Sequence, residues 1–332
     1  MIDPAALQSV AKLVNLASPR LGASAPEASD SFFGAPERMI QDSEPVFYPE
    51  KFDANGKWMD GWETRRRRGL GHDWCLVRLG VPGVLSAIEL DTRHFTGNFP
   101  PGAMVEGCAT LDPPGPDTVW RVLVPASALV GNDRKLFTVD DPTPIAWLRL
   151  SIFPDGGIAR LRAYGTPFFD PADADANAEL ELSAIKYGGR ILGYSDAHYG
   201  APWVILTEGR GATMGDGWET RRRREPGHDW MVIALGIPGT IDRIEVDTAH
   251  FKGNFPDKVS LQGCAMAAMP DDAVICQSMF WADLMTPQPL AADTIHSFGA
   301  ERLNPLGPIT HVRLNIHPDG GVSRFRAFGR AW

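Results

Sequence analysis

Two segments hold the densest polar chemistry of the chain: Trp62-Glu63-Thr64 followed by Arg65, Arg66, Arg67 and Arg68, and Trp218-Glu219-Thr220 followed by Arg221, Arg222, Arg223 and Arg224. A guanidinium fork matches a carboxylate bidentately, so an anionic ligand is the natural partner of such a run in a chain of net charge -9. On a strand, four successive arginines point alternately to opposite faces, which predicts that two of the four face a cleft. The bland alternative is a solvated, salt-bridged strand or turn. Histidine follows in Gly71-His72-Asp73-Trp74 and Gly227-His228-Asp229-Trp230. Imidazole titrates nearest neutrality and suits proton transfer in a hydrolysis, although a hydrogen-bonded structural histidine fits the pattern equally. Strand neighbours face opposite ways, so His72 and Asp73 are not expected to pair.

A third element runs from a strand end into a loop, from Asp91 through His94 to Asn98, with a copy from Asp247 through His250 to Asn254. Such loops are where a rigid sandwich carries functional groups, and Asn98 offers both a donor and an acceptor. Alternatively, these side chains only satisfy a tight turn. Asp91 with His94 could ligate a divalent metal, and Asp60 could supply oxygen to calcium, but neither spacing is specific. No H-E-x-x-H, P-loop, G-x-S-x-G or dinucleotide-binding loop is present.

These groups are positioned by an internal duplication. Residues 60–74 and 216–230 agree at 13 of 15 positions, and residues 88–100 and 244–256 at 10 of 13. The offset is 156 there and 164 for residues 149–165 against 313–329, so the second copy has gained eight residues in between. DSFFGAP at 30–36 likewise resembles DAHYGAP at 196–202. Such a period makes each copy a domain rather than a solenoid unit. The expected domains are 1–172 and 176–332, joined in the Asp- and Ala-rich stretch near Asp175.

Within a copy, apolar runs such as WCLVRLGVPG are expected to close in a Pro-Gly turn. Leu148, Leu150 and Ile152 alternate with Trp147, Arg149 and Ser151, the period of a strand, and the following Pro-Asp-Gly-Gly reads as a hairpin. Only AALQSVAKLVNL near the N-terminus has helical spacing. The fold class is therefore all-β, a jelly-roll-like sandwich built twice.

With 44% hydrophobic and 22% charged residues the chain is globular, and an excess of 41 acidic over 32 basic residues disfavours nucleic acid. No apolar stretch suits a membrane span, and the N-terminus lacks a signal-peptide pattern, so the reading is cytoplasmic. The four cysteines show no CxxC spacing and are expected as buried thiols rather than bridges.

At these motifs the chain resembles the allantoicase family, across both copies and nearly its whole length. The resemblance implies two jelly-roll domains of the galactose-binding-like type, a cytosolic homo-oligomer, and the conversion of allantoate and water to ureidoglycolate and urea. Allantoate carries one carboxylate and two ureido groups on one carbon. Its carboxylate needs a cation, for which Arg65–Arg68 and Arg221–Arg224 are candidates. Departure of urea needs an acid and the water needs a base, for which Glu63, His72 and His94, or Glu219, His228 and His250, are candidates. Asp91 and Asn98, with Asp247 and Asn254, are candidates to hold the ureido arms. No cofactor is required by this chemistry, and a divalent metal stays open, as do direct displacement and elimination followed by hydration. The runner-up is a non-catalytic carbohydrate- or ureide-binding module, although sugar sites favour exposed aromatic platforms over the Arg, His and Glu shared here.

Overall fold

A computed structural model describes residue 10 and residues 13–169, 178–266 and 269–332. The stretch expected to join the domains lies outside the described residues, as does most of the N-terminal helical spacing. Where description resumes, Val14–Asn15 is a strand paired with Tyr164 and Gly165. The chain divides into two compact units, Met1–Phe168 and Phe169–Trp332.

Each unit is an antiparallel sandwich organised by one long strand, Asp73–Asp91 in the first and Asp229–Asp247 in the second. The expected Pro-Gly turn is not a turn: the strand continues through Pro82-Gly83. Its first half pairs with Ile145–Phe153 and its second half with Arg160–Pro167 and Arg134–Thr138, so one strand serves both layers. A Cβ at Gly83 would lie 2.4 Å from Leu16 Cδ1 and 2.6 Å from the Thr166 carbonyl oxygen. Only glycine lets the strand pass this closely where it changes layer.

The strand expected at Ile145–Phe153 is present, but it is buried on both faces rather than half-buried, with Trp147 and Ser151 covered as well. Leu148, Leu150 and Ile152 are fully buried, as are Leu161, Ala163, Ile88 and Leu90, each leucine or isoleucine contributing about 1.5–3 kcal/mol on burial. Trp147, Arg149 and Ser151 stand on the opposite face. Pro154–Gly157, by contrast, is not a hairpin. The strands on either side of it pair with the long strand and not with each other, and Gly157-Ile158 pairs with Trp62-Glu63. The motif is a corner that carries the chain between layers and docks on the arginine segment.

All four cysteines are free; Cys75 and Cys108 are buried, Cys264 is half-buried, and Cys276, contrary to expectation, is exposed. It lies on a short helix, Asp271–Gln277, without counterpart in the first unit. No helix among the described residues is long and apolar enough to cross a membrane.

Candidate active site

Trp62 anchors the site. Its indole is fully buried and its Nε1 donates to the Asp30 carbonyl oxygen at 2.8 Å; Trp218 repeats the contact with Asp196 at 2.8 Å. Glu63 is then held on one side by backbone bonds to Gly34 and on the other by Gly157. Asn98 arrives from the loop after the long strand. Its carbonyl accepts from Gly157 N at 2.7 Å and its Nδ2 donates to Glu63 Oε1 at 2.6 Å. Burial pushes the Glu63 carboxyl above the usual carboxylate range, outweighing the Asn98 amide that acts the other way. Asn254 donates to Glu219 in the second unit, where Glu219 Oε2 is enclosed without a hydrogen-bond partner.

The arginines do not lie on a strand; Arg65–Arg68 is irregular backbone. Alternate members are neutralised by the protein itself. Arg65 binds Asp30 through backbone and side chain, and Arg67 donates its backbone N–H to Asp155 Oδ2 at 2.8 Å and Nη2 to Asp73 Oδ1 at 2.5 Å. Arg221 with Asp196, and Arg223 with Asp319 and Asp229, repeat this scheme. Among the described residues Arg66, Arg68, Arg222 and Arg224 have no ion-pair partner. Arg66 lines a cavity of about 360 Å³ together with Glu63, Thr64, Asn98 and Asp155. In the second unit Arg221–Arg224 border an open basin of about 330 Å³ floored by Asp196 and Asp229.

The remaining candidates go elsewhere. His72 is not in the Glu63 cavity; it lines a separate trench on the sheet face, its ring 4.9 Å from that of Phe153. His228 faces His317 at 4.8 Å, and burial and the Arg313 charge hold it below its ordinary value. His94 has a positive φ of 70° and its Nε2 donates to the Pro45 carbonyl at 3.2 Å, while His250 donates to Gly211 at 2.7 Å. Both fasten loops.

Asp91 and Asp247 do not stand where they could hold ureido arms: both are fully buried, Asp91 paired with Arg93 at 2.6 Å and Asp247 with Arg210 at 3.1 Å. Ala249 stands where the first unit has Arg93, and Arg210 supplies the missing cation from another loop. Asp60 meets not calcium but the fully buried Arg160, at 2.7 Å. Among the described residues no three or more His, Cys, Asp or Glu side chains cluster as a metal site.

Asp30, Asp155 and their copies were missed as builders of the site. The duplicated DSFFGAP/DAHYGAP and PDGG segments carried the signal, but their role depends on docking across about 35 and 90 residues of sequence.

Tandem jelly-roll sandwiches, each with a glutamate–asparagine pair beside an arginine segment, define the class as a duplicated β-sandwich protein with one polar site per repeat. The allantoicase repeat model matches residues 14–168 and 180–332. A probable allantoicase 2 of Burkholderia pseudomallei is 52% identical over 330 residues, covering 99% of this chain and 98% of that protein. A probable allantoicase of Rhizobium meliloti is 49% identical, covering 96% and 94%. The crystal structure of allantoicase from Saccharomyces cerevisiae superposes with a TM-score of 0.81 at 31% identity, covering 99% and 98%. The chain belongs to the allantoicase family.

Proposed function

We propose that this protein is a hydrolase of purine catabolism that converts allantoate and water to ureidoglycolate and urea. The observation that carries the assignment of chemistry is the Glu63 carboxyl, buried so that it holds its proton more tightly than usual, beside Asn98 and the unpaired Arg66. Arg66 takes the substrate carboxylate, and Asn98 hydrogen-bonds a ureido arm. Protonated Glu63 gives its proton to the nitrogen of the departing urea as the central C–N bond breaks. Water then forms the new C–O bond on the N-acyliminium carbon and returns a proton to Glu63. One carboxyl thus serves as acid and then base, whereas direct displacement requires a second base while Glu63 is still protonated. Glu219, Asn254 and Arg222 are the equivalent groups of the second unit.

Urea release from allantoate by the protein and by the Glu63→Gln, Glu219→Gln and double variants tests this reading. Full activity in the double variant removes these carboxylates from the mechanism. Because the acid must be protonated, the rate is expected to fall as pH rises through the raised pKa of Glu63. The homo-oligomer, the cytoplasmic location and the domain limits 1–172 and 176–332 are proposals of the same reading, tested by light scattering, cell fractionation and limited proteolysis.

A further inference from the structure

The first unit has a second cavity, distinct from the one above Glu63. It is a trench of about 480 Å³ on the solvent face of the sheet, a volume suited to a small molecule. Three adjacent strands build its floor in register: Trp74, Ser151 and Met104 form one row, and Leu76, Arg149 and Glu106 the next. Trp120 closes one side. Arg149 lies over the Trp120 ring at 4.5 Å and directs both Nε and Nη2 to Glu106 Oε2 at 2.8 Å.

This is a prepared recognition site. Glu106 is 8% exposed yet faces the trench, and the contacts with Arg149 fall on one of its oxygens, leaving Oε1 outside the pair. The guanidinium is clamped between carboxylate and indole, so its remaining N–H groups are already oriented. A carboxylate acceptor, a guanidinium donor and flat aromatic walls match a planar group with parallel N–H donors and one carbonyl acceptor.

We propose that this trench is a second ligand site, which takes a ureido group, with Glu106 accepting its N–H donors and Arg149 donating to its carbonyl oxygen. The choice of a ureide among planar donors rests on the function proposed above; the site itself rests on the trench. The second unit is a natural contrast. There Gln262 replaces Glu106, and the trench position is filled by the chain itself.

Calorimetric titration of the intact protein with N-carbamoylglycine tests the site, with N-acetylglycine, which lacks the terminal NH₂, as control. N-carbamoylglycine is expected to bind at least tenfold more tightly than the control, and Glu106→Gln to weaken that binding at least tenfold. The same loss is expected from Gly115→Phe, which adds bulk at the trench lip where a new Cβ meets nothing within 4 Å. Glu63→Gln with Glu219→Gln should keep this binding event. No binding, equal binding of the two probes, or binding indifferent to both trench variants would overturn the proposal. Urea release from allantoate by the unsubstituted protein, measured alongside, separates the two readings: release without trench binding sinks only the trench, and its absence sinks the function.

Discussion

The same sheet face is an open trench in the first unit and a filled one in the second, although its floor retains the same guanidinium and indoles. Arg313 stands for Arg149, Trp230 for Trp74 and Trp281 for Trp120. Of the eight residues gained by the second copy, five fall between Cys264 and Trp281, and this longer connection forms the helix Asp271–Gln277. Its Val274 is buried against Leu192, Val232 and Trp281, with Ile275 packed alongside. Gly193, at the register position of Glu27, admits that helix: a Cβ there would lie 2.8 Å from Ile275 Cδ1. Gln262 leaves Arg313 without a carboxylate, and its guanidinium is satisfied by Asn315 at 3.0 Å and Ser278 at 2.5 Å. Burial lowers its pKa accordingly. The lesson is that both units keep the Glu–Asn pair and the arginine segment beside it, while their sheet faces differ, one open as a pocket and the other filled as a core.

The sharpest way to break this comparison is activity. The double variant Glu63→Gln, Glu219→Gln is expected to lose about 10²–10⁴-fold in urea release, the range of general acid–base catalysis. The single variants show whether the shared arrangement works in both units: equal partial losses mean two working sites, and loss from one variant alone means one. Stability comes next. Trp281→Ala removes an indole from a filled core and should cost about 3–5 kcal/mol in chemical denaturation, whereas Trp120→Ala at the open trench should cost less than half as much.

A smaller effect concerns charge. Glu181 occupies the register position that neutral Asn15 holds in the first unit, and burial pushes its carboxyl up to about 7 despite Arg326. A folded-state pKa above the unfolded one means that the folded state binds the proton more tightly. Stability should therefore fall as pH rises from about 4.5 to about 7, by on the order of 2 kcal/mol. Glu181→Gln should abolish that slope, as read from denaturation midpoints across this range. Smallest of all is His94→Asn. Asparagine accepts the positive φ, so the losses are the Pro45 hydrogen bond and the stacking on Phe47, together costing about 1–2 kcal/mol in denaturation and leaving urea release nearly unchanged. A large loss of activity would return His94 to the chemistry.

Much of the fold was legible because alternation is local. Leu148, Leu150 and Ile152 declare a strand without reference to any partner, although not that its other face is covered too, and the repeat of residues 60–74 at 216–230 declares two domains. Pro82-Gly83 and Pro154–Gly157 misled for a related reason. Their residue types signal a change of direction, but whether the chain turns back or crosses to another layer depends on which strand lies alongside. For the site, Glu63, Asn98 and the arginine run were visible as residue types, yet which arginine stays unpaired was not.

The sequence by itself determined the duplication, the all-β class and the family, since these reside in residue identity and short-range periodicity. Tertiary structure alone decided that Arg66 faces the cavity while Arg65 and Arg67 are neutralised, that His72 and His94 stand apart from Glu63, and that one sheet face is open and the other filled. Charge pairing and burial act between groups distant in sequence, and only folding brings those groups within reach of one another.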